Sequence, residues 1–202
     1  FSSALSGGCG NVQVVSNQIM EANPEMKIIV VDTLAASLGE AILIQKALDL
    51  KAQGKTIEET AEIINELVPH LITLFTVDDL DYLYRGGRLS KTTAIVGSLV
   101  NIKPILRINE EGKLVAYSKV RGRNKSIQTL AAMMEDYLGS YREKQLQIGI
   151  MHGDCEEDAR ALQKIIQDKY GYTDFFIEPI GPSIGAHSGP GTLGLVFLGD
   201  HR

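Results

Sequence analysis

Cysteine, positive charge and long apolar runs are all scarce in this chain. The only cysteines are Cys9 and Cys155, and no CxxC or Cys/His metal spacing accompanies them. They read as reduced thiols of a cytosolic protein, not as a disulfide or a metal site. Lys and Arg number 20 against 25 Asp and Glu, a net charge of −5. That balance argues against general binding to nucleic acid, which needs a broad basic field. The longest apolar stretches fall far short of the ~20 residues of a membrane-spanning helix, and no signal peptide is visible. Walker A, G-x-G-x-x-G and G-x-S-x-G motifs are missing as well. Phosphate-cofactor chemistry and a nucleophile elbow therefore have no support.

The pattern that is present divides in two. Val12 to Ala22 reads as a helix ended by Asn23-Pro24. Lys27-Ile28-Ile29-Val30-Val31-Asp32 is a β-branched run of the kind found in strands buried on both faces. A helix from Ala35 to Ala52 stops at Gly54, and Thr56 with Glu59 forms a capping box for a helix from Ile57 to about Leu71. Ile57, Ala61, Ile64 and Leu67 mark its apolar face. One strand cannot satisfy its own backbone groups, so its partners must come from a preceding segment, another chain or a strand near Leu71–Thr76.

The second half alternates strands and helices. Val77 to Leu83 is a short helix closed by Gly86-Gly87, and Ser90 can cap another running to about Val100. Pro104–Ile108 and Leu114–Val120 form a hairpin about Glu111-Gly112. Helix Lys125–Leu138, strand Gln147–Met151, helix Glu156–Lys169 and strand Asp174–Glu178 follow. A glycine-rich turn then leads to a last strand, Leu193–Leu198. The fold class is α/β in two domains. Residues 1–73 are the remainder of a parallel-sheet N-terminal domain, and residues 74–202 form an α+β C-terminal domain with a mixed sheet.

Three segments hold too many glycines and polar side chains for core packing. Ser2-Ser3-Ala4-Leu5-Ser6-Gly7 precedes a helix, where hydroxyls and free N–H groups make either a plain N-cap or an anion site. Tyr84-Arg85-Gly86-Gly87-Arg88 is a tight reversal, and an Arg fixed behind it can grip a carboxylate or phosphate. Ile180 to Gly194 places His187 among small residues that let a ligand approach closely. The basic run Ser118–Lys125 reads as a solvated hairpin end. In a functional role it would suit an acidic partner surface or the phosphates of ATP.

The segments SSALSG, VDTLAASLG, FTVDDLDYLYRGGRLS, VGSLVNIKPIL, GRNKSI and IGPSIGAHSGPGTLGLVFLG, in this order, resemble the DegV family of bacterial fatty-acid-binding proteins, which includes the FakB subunits of fatty acid kinase. The resemblance runs through essentially the whole chain. It implies a two-domain fold that holds a fatty acid in an apolar tunnel, with the carboxylate at the domain junction. It implies that a longer N-terminal segment, with the first strands and a Thr-Ser loop, precedes the serine motif. The ligand-binding residues it implies are Ser2, Ser3 and Ser6 in the serine loop, with Arg88 and His187 extending the network around the carboxylate. One departure is local: Gly8-Cys9-Gly10-Asn11 stands where the family has a Thr-Tyr-Gln-like stretch, and the glycines weaken the helix start.

The implied function is binding of a long-chain fatty acid and presentation of its carboxylate to a fatty acid kinase catalytic subunit. The protein itself would be cytoplasmic and non-catalytic, with no cofactor, metal, nucleic acid or stable membrane insertion. The physical reading agrees, since each buried methylene contributes about 0.8 kcal/mol and the head group needs only enough donors to offset lost water. The alternative is a Ser/His acyl hydrolase or acyl transferase, which would need a nucleophile paired with its base.

Overall fold

The structure is a computed structural model that describes residues 1–89 and 101–202. The helix expected from Ser90 to about Val100 lies outside the described residues. In chain order, helices α1 (Gly8–Ala22), α2 (Leu38–Ala52) and α3 (Ile57–Leu67) precede strand β1 (Leu71–Thr76) and the short helix α4 (Asp81–Arg85). The hairpin β2 (Ile102–Ile108) and β3 (Leu114–Arg121) leads to α5 (Arg123–Leu138), β4 (Ile148–His152), α6 (Glu156–Tyr170), β5 (Phe175–Pro179), α7 (Pro182–Ser188) and β6 (Leu193–Leu198).

Continuous apolar runs become the middle of the sheet. LITLFT is β1 and LGLVFL is β6, and every residue of both is buried. The six strands lie in the order β3-β2-β1-β6-β4-β5. All neighbours are antiparallel except β4 and β5, so the sheet is mixed and the fold is α/β, as expected. The boundary expected at residues 73 and 74 falls inside β1, a central strand. β3 closes one edge, and its exposed Lys119 and Arg121 belong to the basic run. Charges on an edge strand discourage pairing with another chain.

Side chains alternate between the two faces with the strand period of two. Ile72, Leu74, Ile148, Ile150, Leu195 and Phe197 pack against α5 and α6. Leu71, Met151, Val196 and Leu198 pack against α2 and α3. A smaller cluster of Phe75, Val77, Leu80, Leu83, Leu89 and Leu106 fills the space beside α4.

Several expectations need correction. Ile28–Val31 is not a strand; residues 26–32 carry no helix or strand, and the four side chains from Ile28 to Val31 are half-buried. A β-branched run forms a strand only where a neighbour offers ladder partners, and among the described residues none does so here. Asp32 instead accepts the N–H groups of Ser3 and Leu34, both at 3.1 Å, and turns the chain. Helix α1 begins at Gly8 despite its two glycines. The capping box of α3 is present, but Ile57 is 47% exposed, so its apolar face starts later, with Ile64 buried. The glycine-rich segment before β6 contains a helix, α7, and His187 sits on it rather than in a loop. Pro182 in its first turn and Gly189 just past its end, at φ +79°, are the signals that could have revealed it.

Candidate functional site

The three polar segments converge on a cavity of about 260 Å³. Its wall is chiefly apolar: Phe1, Leu5, Phe75, Leu83, Ile108, Leu114, Met151, Ile180 and Ile184 line it. Ser6, Arg88 and His187 are among its polar groups. An open cleft lies beside it, bounded by Ser3–Gly7, Gly87–Leu89 and Lys113–Ala116. Leu5, Ser6, Arg88 and Leu114 line both spaces. These four residues are therefore the mouth, where the two spaces meet.

The serines divide their labour. Ser2 is fully buried, its N–H donates to the Ala35 carbonyl at 2.7 Å and its hydroxyl to the Gly112 carbonyl at 2.8 Å. It ties the loop to the β2–β3 turn and lines neither space. Ser3 is exposed and lines only the outer cleft. Ser6 lines the cavity while its hydroxyl accepts the Gly8 N–H at 3.1 Å. Capping and facing the cavity thus coexist on one side chain.

Arg88 is held from both sides. Its Nε donates to the Leu5 carbonyl at 3.1 Å and its Nη1 to the Gly86 carbonyl. Gly86 in turn abuts His187, because a Cβ there would overlap the imidazole Nδ1. The serine loop, the Gly-Gly-Arg turn and α7 are thereby locked together. Arg85 is the solvated member of the arginine pair, lying over the Tyr82 ring at 5.0 Å. Among the described residues that line the cavity no Asp or Glu occurs, and Arg88 is the one Lys or Arg side chain. A mostly apolar space with a cation at its mouth suits a ligand with one negative charge and an apolar body.

Sequence reasoning missed other parts of the wall. Ala36 and Ser37, at the start of α2, line the cavity. Leu34 and Ser37 take positive φ there, 46° and 54°, a strained state for non-glycine residues that clusters at ligand sites. Arg202 braces this segment, donating to the carbonyls of Leu71 at 2.9 Å, Leu34 at 2.7 Å and Thr33 at 3.3 Å. Burial lowers its pKa to about 10, against the raising influence of Asp32 and Glu110. Burial also works to raise the Asp32 carboxyl, but hydrogen bonds from Ser3 and Leu34 prevail and hold it below its ordinary value. Thr73 lines the cavity too, 2% exposed, and its hydroxyl has no hydrogen-bond partner among the described residues.

Ser2 gives its proton to a carbonyl, and among the described residues no hydrogen bond joins His187 to Ser2, Ser3 or Ser6. No group of three metal-ligating side chains occurs among the described residues, and none of their helices is long and apolar enough to cross a membrane.

A DegV domain-containing protein of Clostridium perfringens is 42% identical over 202 residues, covering 100% of this chain and 69% of that protein. The Streptococcus pneumoniae fatty acid kinase B3 protein loaded with linoleic acid superposes with a TM-score of 0.89 at 28% identity, covering 99% of this chain and 70% of that one. The fatty-acid-binding DegV family protein of Streptococcus agalactiae superposes at 0.85 with 28% identity, covering 100% of this chain and 69% of that one. The family model described as an uncharacterised protein of the DegV family matches residues 1–200, and the chain belongs to the DegV family.

Proposed function

We propose that the protein binds a long-chain fatty acid, holds its acyl chain in the apolar cavity, and presents the carboxylate at the mouth to a separate fatty acid kinase. One observation carries this reading: Ser6 and Arg88 line both the apolar cavity and the more polar cleft beside it, so a head group there is retained and yet reachable. Arg88, already fixed by two backbone carbonyls, supplies a pre-oriented cation. His187, packed on the same turn, offers a second donor. Ser2 and Ser3 serve as the loop's supports, one buried under the hairpin and one held on Asp32. The protein contributes binding and orientation, and the phosphoryl-transfer chemistry belongs to the kinase. The relatives support this: the Streptococcus pneumoniae protein is a fatty acid kinase B3 protein loaded with linoleic acid, and the Streptococcus agalactiae protein binds fatty acid. The protein would be cytoplasmic and need no cofactor besides its ligand.

The test compares the unmodified protein with His187→Ala in fatty acid affinity and in acyl-phosphate formation with a fatty acid kinase and ATP. Affinity should fall by about 1.5–3 kcal/mol, the value of a hydrogen bond to a charged group. Acyl-phosphate formation should fall more steeply, because transfer needs orientation as well as retention. No change in either quantity would remove His187 from the site.

A further inference from the structure

The floor of the cavity is one face of the sheet, and its composition is unusual at one point. Directly opposed residues in antiparallel strands share a face. Gly194 of β6 is opposed by Phe75 of β1 on one side and by Met151 of β4 on the other. Phe75, Gly194 and Met151 therefore form a row across three strands, and Phe75 and Met151 both line the cavity. The next row on this face is Thr73, Val196 and Gly149, of which Thr73 also lines it.

Gly194 interrupts a strand that is otherwise Leu, Leu, Val, Phe and Leu. A glycine inside a central strand gives up side-chain packing and marks a close approach by something else. Here that something is Met151. A Cβ on Gly194 would overlap the Met151 Cε and stand 2.8 Å from its Cγ. The methionine thus lies folded sideways over the glycine, along the floor. Its neighbours in the row differ in stiffness: Phe75 turns about two side-chain torsions, whereas Met is unbranched, has three, and fills irregular gaps.

We infer that the Phe75–Gly194–Met151 row sets the length of acyl chain the cavity accepts, with Met151 as an adjustable wall and Gly194 as the notch into which it folds. This rests on the reading of the cavity as a fatty acid site. With its thioether over the notch, Met151 limits the space. Swung away, it opens the glycine-floored groove to the last methylenes of a longer chain. A side chain at position 194 takes the notch away and drives the Met151 methyl into the cavity.

Affinities of the protein for straight-chain C12, C14, C16 and C18 acids, before and after substitution, test this. Met151→Ala should raise the ratio of C18 to C14 affinity by at least about fourfold, the value of one buried methylene. Gly194→Ala should lower the same ratio by a similar factor. Met151→Leu, which conserves volume but is branched and has one torsion fewer, should lower it, because the stiffer wall no longer swings away. Circular dichroism shows which variants fold, and the two Met151 variants decide the matter if Gly194→Ala does not. Folded variants that bind every acid with unshifted ratios would overturn the inference alone. An unmodified protein that binds none of the acids would overturn the fatty acid reading, and this inference with it.

Discussion

Gly86 and Gly87 are adjacent, yet the structure gives them different duties, and a single methyl group separates them. Gly87 has φ +72° and nothing within 4 Å of a would-be Cβ, so it is needed for its backbone. Gly86 has φ −72° and ψ −6°, ordinary helical values that alanine adopts freely. A Cβ on Gly86 would overlap His187 Nδ1 and lie 3.0 Å from its Cγ, where ordinary contact begins at 3.4 Å. Gly86→Ala must therefore push the imidazole away from the Arg88 turn. A shift on the order of 1 Å breaks a hydrogen bond, whose usable donor–acceptor range is only about 2.7–3.2 Å. The expected loss in fatty acid affinity is about 1.5 kcal/mol, the low end for a bond to a charged group. Calorimetric titration with oleate measures it, and a double-mutant cycle locates it. If the methyl acts through His187, adding Gly86→Ala to His187→Ala costs little more, because the smaller side chain leaves room. Gly87→Ala serves as the control, destabilising the fold by ~1 kcal/mol through strain at positive φ while sparing affinity. Additive losses in the cycle, or unchanged affinity for Gly86→Ala, would refute the packing argument.

Two further outcomes follow from buried and charged groups around the cavity. Thr73→Val removes a hydroxyl that is 2% exposed and has no partner among the described residues, so thermal melts should show a gain of ~1 kcal/mol in stability. A loss in the ligand-free protein would mean that the hydroxyl is satisfied. Asp32 has its carboxyl below the ordinary value of 3.8 in the folded state, so its contribution is complete above that value and is lost as pH falls through the lower folded one. Asp32→Asn should accordingly flatten the decline in melting temperature between about pH 5 and pH 3, and a decline as steep as that of the unmodified protein would contradict the assignment.

Much of the fold is legible because its signals are local. The apolar run Leu193–Leu198, the Thr56 capping box and the Glu111-Gly112 turn each carry their own physics within a few residues, and each appears where the pattern puts it. Ile28–Val31 reads the same way, but a strand is a relation to another strand, and no local signal says whether that partner exists. Helix α7 hides behind its glycines because composition argues for a turn while Pro182 and Gly189 argue for a helix with defined ends. The site shows the same division. Hydroxyls, glycines, Arg88 and His187 stand out as residue types. That the Ser2 hydroxyl serves Gly112, far along the chain, or that Arg202 braces Thr33 and Leu34, depends on contacts that only the folded chain creates. The cavity floor is equally silent, since Phe75 and Met151 look like any core residues until the sheet aligns them with Gly194.

The central claim is that the protein holds a long-chain fatty acid, and denaturing extraction of the purified protein followed by mass spectrometry tests it most directly. A cavity of about 260 Å³ walled by apolar side chains, with Ser6 and Arg88 at its mouth, predicts a long-chain acid at near-stoichiometric level, carried through purification or taken up on incubation with oleate or palmitate. Extracts without any acyl species, even after that incubation, would contradict it.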